Sequence, residues 1–313
     1  MAIATTRLRG RNFVNDDDLT PDEYRAVLDR AAELKEQRRR GEPHDHLLRG
    51  KTVALIFQKP STRTRVSFEA GVAQLGGQAL HLAAGDLQLG RGETIEDTGH
   101  VLARYVDAVM ARVMRHEDVA ALATTGLPTI NGLSDLLHPT QALADMLTVK
   151  EKLGDWPGRT LAYVGVANNM SNSLLLAGSL LGLNVRIVCP HGREPRPELM
   201  ARAARHAAAS GAALDVLHDP QEGVRGADIV YTDVWRSMGD PGGVSLADLE
   251  PYRVTDGLLD CAGPDPLFMH CLPLVRGQEV TADVADGPCS IIFDQAENRL
   301  HVQKALLVEQ LGA

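Results

Sequence analysis

In QKPSTRTRVSFEAG, residues 58–71, cations alternate with hydroxyl side chains: Lys59, Arg63 and Arg65 stand among Ser61, Thr62 and Thr64. The apolar run TVALIF (52–57) comes immediately before, and a helix-like pattern follows. A strand ending at Phe57, a turn through Pro60 and a helix opening near Ser61 or Thr62 would gather backbone N–H groups, hydroxyls and Arg63 at one helix N-terminus. That is an anion site. A Ser-Thr-Arg triplet by itself more often only caps a helix. Cations in a first helical turn, however, oppose the helix dipole and ask for a compensating anion, which a phosphate would supply. The phosphate does not read as part of a nucleotide. G-x-x-x-x-G-K-[ST] is absent, and YVGVANNMSNS (163–173) has a single glycine where a dinucleotide fingerprint has three. A small phosphorylated metabolite fits the pattern.

The elements that must position these residues are short apolar runs alternating with helical patterns. Thr20, Pro21 and Glu23 read as a capping box opening a helix to about Arg40. Strands are expected at TVALIF, ALHLA (79–83), DAVMAR (107–112) and PTIN (128–131), with helices near 62–75, 94–104 and 117–123. HPTQALADMLTVKEKLG (138–154) reads as one long helix. The pattern then restarts with TLAYVGV (160–166), NVRIVC (184–189), ALDVL (213–217), DIVYT (228–232), LFMH (267–270) and SIIFD (290–294). Two such series imply an α/β protein of two doubly wound domains, each with a mainly parallel sheet covered by helices on both faces. The polar loops RSMGDPGG (236–243) and LVRGQEV (274–280) are expected to carry function, as loops at the carboxyl ends of parallel strands do.

Composition narrows the class further. The 313 residues are 44% hydrophobic, enough for ordinary cores, and no apolar stretch approaches the roughly 20 residues of a membrane span. The start, MAIATTRLRGRNFVNDDD, lacks the apolar core of a signal peptide, so a cytoplasmic protein is expected. A net charge of -9 argues against a nucleic-acid surface. Cys189, Cys261, Cys271 and Cys289 form no Cys-x-x-Cys pair, which suits a reducing compartment.

STRTR (61–65), HPTQ (138–141), SMG (237–239) and HCLP (270–273) occur in that order, with DTGHVLARYVDAVMARV, NGLSDLLHPTQALADMLT and FDQAENRLHVQKALL around them. Together they resemble the carbamoyltransferases, most closely the ornithine branch, from about Arg11 to the C-terminus. The resemblance implies a carbamoyl-phosphate-binding domain at 1–147, an ornithine-binding domain at 148–294, and a C-terminal helix, 295–313, returning to the first. It implies that Ser61, Thr62, Arg63 and Thr64 hold the phosphate, and that Arg112, His138, Gln141 and Arg299 complete the pocket. Arg112 and His138 would stabilise an oxyanion at the carbonyl. Gln88 is expected on the donor bound by a neighbouring chain, in a homotrimer with shared sites. Leu272 would offer its carbonyl to the substrates ahead of a cis bond to Pro273.

For the second substrate the resemblance implies that Asn169, Asp233, Ser237 and Met238 hold the α-amino and α-carboxylate groups of L-ornithine. Cys271 would lie beside the δ-amine, and the other three cysteines fill space as small hydrophobes. No cofactor and no metal are expected, and zinc at the cysteine would inhibit. Val166, Thr140, Leu274 and Val275 depart from residues frequent in the family. The last two bear on amine specificity, while the SMG loop favours ornithine; a carbamoyltransferase for another acceptor, such as putrescine, N-acylated ornithine or aspartate, is the nearer alternative. A non-catalytic anion-binding protein on the same fold is the alternative from another class.

Overall fold

The computed structural model describes residues 8–87, 92–235 and 245–312. The chain divides into two compact units, Met1–Leu147 with Asn298–Ala313, and Thr148–Glu297.

In the first unit the order is α1 (Pro21–Arg39), β1 (Thr52–Phe57), α2 (Thr62–Gln74), β2 (Gln78–Ala83), α3 (Ile95–Leu102), β3 (Ala108–Arg112), α4 (His116–Leu122) and β4 (Thr129–Leu133). Thr20 and Glu23 form the expected capping box of α1: the Thr20 hydroxyl accepts from Glu23 N, and Thr20 N donates to Glu23 Oε2 at 2.9 Å. The sheet is wholly parallel in the order β2-β1-β3-β4. Its two central strands are the apolar runs TVALIF and AVMAR, which a strand buried on both faces requires. Crossovers leave β1 and β3 in opposite directions, so a crevice opens between their carboxyl ends. Gly76, between α2 and β2, has φ +83, and a Cβ there would stand 1.7 Å from the Asp45 carbonyl oxygen. Only glycine permits that approach.

The helix α5 (Pro139–Leu153) leads into the second unit. There follow β5 (Thr160–Val164), α6 (Asn169–Leu181), β6 (Asn184–Val188), α7 (Pro197–Ser210), β7 (Leu214–Leu217), α8 (Pro220–Val224) and β8 (Ile229–Thr232). Short helices α9 (Leu246–Leu249) and α10 (Asp256–Leu259) precede β9 (Leu267–His270), and α11 (Ala282–Ala285) follows it. This sheet is also wholly parallel, in the order β7-β6-β5-β8-β9, and its crevice lies between β5 and β8.

One expected strand is absent. SIIFD pairs only through an isolated bridge between Ser290 and Phe268, and Ile292 already opens α12 (Ile292–Leu311). A three-residue apolar run between Ser290 and Asp294 fits a strand or a buried helix end equally well by periodicity, and here the helical pattern continues through buried Gln295, Asn298, Arg299 and Val302. The helix therefore starts three residues before 295, and the second unit keeps residues up to Glu297 rather than 294. Among the described residues no helix is long and apolar enough to cross a membrane.

Candidate active site

In the first unit, Ser61 is the N-cap of α2, with extended backbone, and its hydroxyl accepts from Thr64 N at 3.4 Å. The three cations of the opening motif separate. Lys59 is exposed, and Arg65 turns outward to Glu69 at 2.9 Å, an i,i+4 pair worth little at the surface. Arg63 is half-buried. Arg112 ends β3 opposite Phe57 of β1, and its carbonyl accepts from Gln58 N at 2.9 Å. The β3–β4 register shifts between Ala111 and Arg112, an irregularity of the kind that re-aims a side chain at a strand end.

Arg299 reaches the same ground from α12. Its guanidinium donates from Nη2 to Thr64 Oγ1 at 2.6 Å and from Nη1 to Gln141 Oε1 at 2.6 Å. Gln141 Nε2 donates in turn to Asp145 Oδ1 at 2.8 Å. That bond fixes which end of the amide faces Arg299. His138, just ahead of α5, is buried, and burial followed by the charges of Arg299, Arg112 and Arg63 holds its imidazole well below the usual range. It is therefore a neutral ring set among three guanidinium charges, able to donate one hydrogen bond without adding repulsion.

In the second unit the β5–β8 crevice holds Asp233, immediately after β8. Its Oδ2 accepts from Asn168 Nδ2 at 2.8 Å, while Oδ1 accepts from Val234 N at 2.8 Å and from Cys271 Sγ at 3.2 Å. Asn168 caps α6 with its other end, Oδ1 accepting from Met170 N and Ser171 N. Leu272 has φ 61 and a cis bond to Pro273. Its N–H donates to His270 Nδ1 at 2.8 Å, and His270 Nε2 lies 3.4 Å from Glu279 Oε1. His270 N donates to Gln295 Oε1 at 3.0 Å, which Tyr231 holds from the other side. A left-handed leucine is costly, and these buried bonds hold it.

Residues 11–151 match the carbamoyl-P binding domain of the aspartate/ornithine carbamoyltransferases, and residues 157–309 match their Asp/Orn binding domain. The ornithine carbamoyltransferase of Pyrococcus abyssi is 52% identical over 308 residues, 97% of each chain. That of Methanothermobacter thermautotrophicus is 54% identical over 289 residues, 91% of this chain and 94% of its own. The solved ornithine carbamoyltransferase of Pyrococcus furiosus superposes with a TM-score of 0.94 at 51% identity, over 97% of this chain and 98% of that one. The chain belongs to the aspartate/ornithine carbamoyltransferase family.

Within this carbamoyltransferase chain, Thr64, Gln141 and Arg299 are joined by direct bonds, with Arg63, Arg112 and His138 set electrostatically around them. Ser61 caps the same helix that Thr62 opens. Asp233 and Cys271 touch. Asn169, by contrast, is the buried first residue of α6, and its neighbour Asn168 makes the bond to Asp233. Gln88, Ser237 and Met238 lie outside the described residues. Sequence reasoning passed over Asp145, one helical turn beyond Gln141, although the i,i+4 spacing in HPTQALAD was a usable signal. It also gave no role to His270 or Glu279, whose pairing no local pattern announces. Asp233, His270 and Cys271 place ligand atoms within 4.8 Å of one another, so these three side chains could hold a thiophilic metal.

Proposed function

We infer that the chain transfers the carbamoyl group of carbamoyl phosphate to the δ-amine of L-ornithine, giving L-citrulline and phosphate, a step of arginine metabolism. The observation that supports this best is the neutral His138 held among Arg63, Arg112 and Arg299 at the β1–β3 crevice. Three positive charges beside the α2 N-terminus suit a dianionic phosphate. A neutral imidazole suits a carbonyl oxygen that becomes negative only in the transition state.

In this reading Ser61, Thr62, Arg63 and Thr64 bind the phosphate. Arg299 is fixed by Thr64 and by the Gln141–Asp145 pair, so it meets the donor already oriented. Arg112 and His138 donate to the carbonyl oxygen. Asp233 takes the α-ammonium of ornithine, with Asn169, Ser237 and Met238 completing the acceptor site, and Cys271 lies at the δ-amine. The neutral δ-nitrogen attacks the carbonyl carbon, the new C–N bond forms, and the C–O bond to phosphate breaks. The amine proton leaves with the phosphate. No acyl-enzyme is required.

Large apolar side chains remain on the surface of the first unit: Val66 is 56% exposed, Val101 47% and Tyr105 75%. They support a homotrimer in which Gln88 of one chain reaches the donor bound by the next, a head-to-tail contact that closes into a ring. The free cysteines and the absence of a membrane-crossing helix among the described residues accord with a cytoplasmic location.

The test is an acceptor series with carbamoyl phosphate as donor, reading both released phosphate and carbamoylated product. Ornithine should exceed putrescine, N-acetylornithine and aspartate by a large margin in kcat/KM. A preference for any other acceptor reassigns the enzyme, and saturable donor binding without turnover on any of them makes it a binding protein.

A further inference from the structure

Strands β6 and β7 lie side by side at one end of the second sheet, with Val188 opposite Leu217 and Cys189 N donating to the Leu217 carbonyl at 3.0 Å. Past this point the two chains diverge. From β6 the chain makes a tight turn through Pro190, His191, Gly192 and Arg193, closed by Arg193 N donating to the Pro190 carbonyl at 3.0 Å, with Gly192 at φ +77. From β7 it passes directly into His218. The result brings His191, Glu194 and His218 together, with one ligand atom from each inside 4.8 Å of the others. None of the three has a part in the carbamoyl-transfer reading.

The orientation of these groups is fixed in a way that an incidental surface cluster does not require. His218 Nδ1 lies 2.8 Å from the Cys189 carbonyl oxygen, which can only accept, so Nδ1 carries the hydrogen. The lone pair of the neutral ring is then on Nε2, the atom facing Glu194 Oε1 at 3.8 Å. A backbone carbonyl on the far nitrogen is the usual way a protein sets the tautomer and direction of a metal-bound histidine. The His218 backbone is held as well, its carbonyl accepting from the Tyr252 hydroxyl at 2.7 Å. The two imidazoles pack in a tilted contact, their centroids 3.6 Å apart and their planes 34° apart. Glu194 Oε1 accepts from Gly192 N at 3.0 Å, which keeps the carboxylate over the turn.

We propose that His191, Glu194 and His218 form a binding site for a divalent transition-metal ion of the zinc class, separate from the substrate crevice. Two imidazoles and one carboxylate suit zinc, nickel, cobalt or copper, whereas magnesium and calcium prefer oxygen ligands throughout. Metal–ligand bonds of about 2.0–2.1 Å place tetrahedral ligand atoms about 3.3 Å apart, so small side-chain rotations of exposed His191 and Glu194 close the present spacing. Three protein ligands leave one position for water.

Such an ion would pin the β6–α7 turn to the end of β7. That turn bears on the acceptor site through one bond: Ala167 N donates to the Arg193 carbonyl at 3.2 Å, and the next residue, Asn168, donates to Asp233. The ion therefore fastens the loop from which Asp233 is oriented, without touching substrate.

The experiment uses the untagged full-length chain carrying Cys271→Ser, which removes the thiol of the other metal-capable cluster. Calorimetric titration with Zn2+ should give one saturable site per chain, and Co2+ should give a visible d–d absorption band on the same protein. Adding His191→Ala, which removes an exposed ring, should weaken Zn2+ binding at least about tenfold and abolish the Co2+ band. His218→Ala and Glu194→Gln should do the same, with melting curves checking that the chain stays folded. Zn2+ should also raise the melting temperature of the Cys271→Ser protein and not that of the His191→Ala form. No saturable Zn2+ binding, or binding that His191→Ala leaves within about threefold, overturns the proposal.

Discussion

Arg299 Nη2 lies 2.6 Å from Thr64 Oγ1, a bond between residues 235 positions apart in the chain. The contact puts the guanidinium of the last long helix over the cap of the helix that opens the anion site. A second fork of the same guanidinium is on Gln141, so the planar group is held along two directions before any donor arrives. Arg299→Lys keeps the charge but loses the rigid planar fork that makes both bonds. Carbamoyl phosphate binding should weaken at least tenfold in this variant and in Arg63→Ala, since charge-assisted bonds contribute about 1.5–3 kcal/mol each. Calorimetry with the donor and a melting curve checks this; unchanged donor affinity in both variants removes these residues from the phosphate site.

The reacting amine of ornithine has a solution pKa near that of lysine, about 10.4, so nearly all of it is protonated at neutral pH and cannot attack. Activity at fixed ornithine should therefore rise with pH above 7. Cys271 Sγ shares Asp233 Oδ1 with Val234 N, and on the proposed reading the thiol lies beside the acceptor. Cys271→Ala should lower kcat and displace the pH profile while donor binding stays unchanged. A variant with the parent rate and profile returns Cys271 to a packing role.

Lys304 is fully buried on α12, where it meets His44 and donates to Gln74 Oε1 at 3.1 Å. Burial, with the charge of Arg38 adding to it, lowers its ammonium from 10.5 to about 8. Between those two values the unfolded chain keeps a proton that the folded chain has released, so stability rises with pH across the window from about 8 to 10.5. Below it, both forms carry the proton and the cost of burying the charge is fully present. Lys304→Met should remove this slope. Urea unfolding at the two ends of the window should show the parent gaining up to about 3 kcal/mol relative to the variant. Parallel stability curves for the two proteins would mean that Lys304 keeps its charge inside.

The shared-site trimer predicts complementation. Arg63→Ala trimers and Gln88→Ala trimers should each be impaired at every site. A mixed trimer has an interface at which an intact Arg63 pocket meets an intact Gln88. Dissociating and reassembling the two variants together should recover activity above the mean of the parents. Verified mixed trimers that show only that mean would confine Gln88 to its own chain or to no role.

The sequence by itself determined the local pieces. The cap at Ser61, the buried strands TVALIF and LFMH, the capping box at Thr20 and the helix after HPTQ each depend on side chains within a turn or two, so their periodicity carries them. The motifs also fixed which residue types stand at strand ends, where parallel sheets place their chemistry. Tertiary structure decided what those ends meet. SIIFD could have been strand or helix, and its single bridge to Phe268 and the onset of α12 settled it. Asn168 came to Asp233 because the cap geometry of α6 turns its amide toward β8. Glu279 became the companion of His270 through packing that no spacing rule contains, whereas Asp145 meets Gln141 by the local i,i+4 spacing of α5. The physical reason is common to the long-range contacts. Local torsions and burial patterns are set by neighbours in the chain, whereas the strand order β2-β1-β3-β4 and β7-β6-β5-β8-β9 sets which distant side chains share a crevice. Hydrogen bonds such as Arg299 to Thr64 exist only after that order has been chosen.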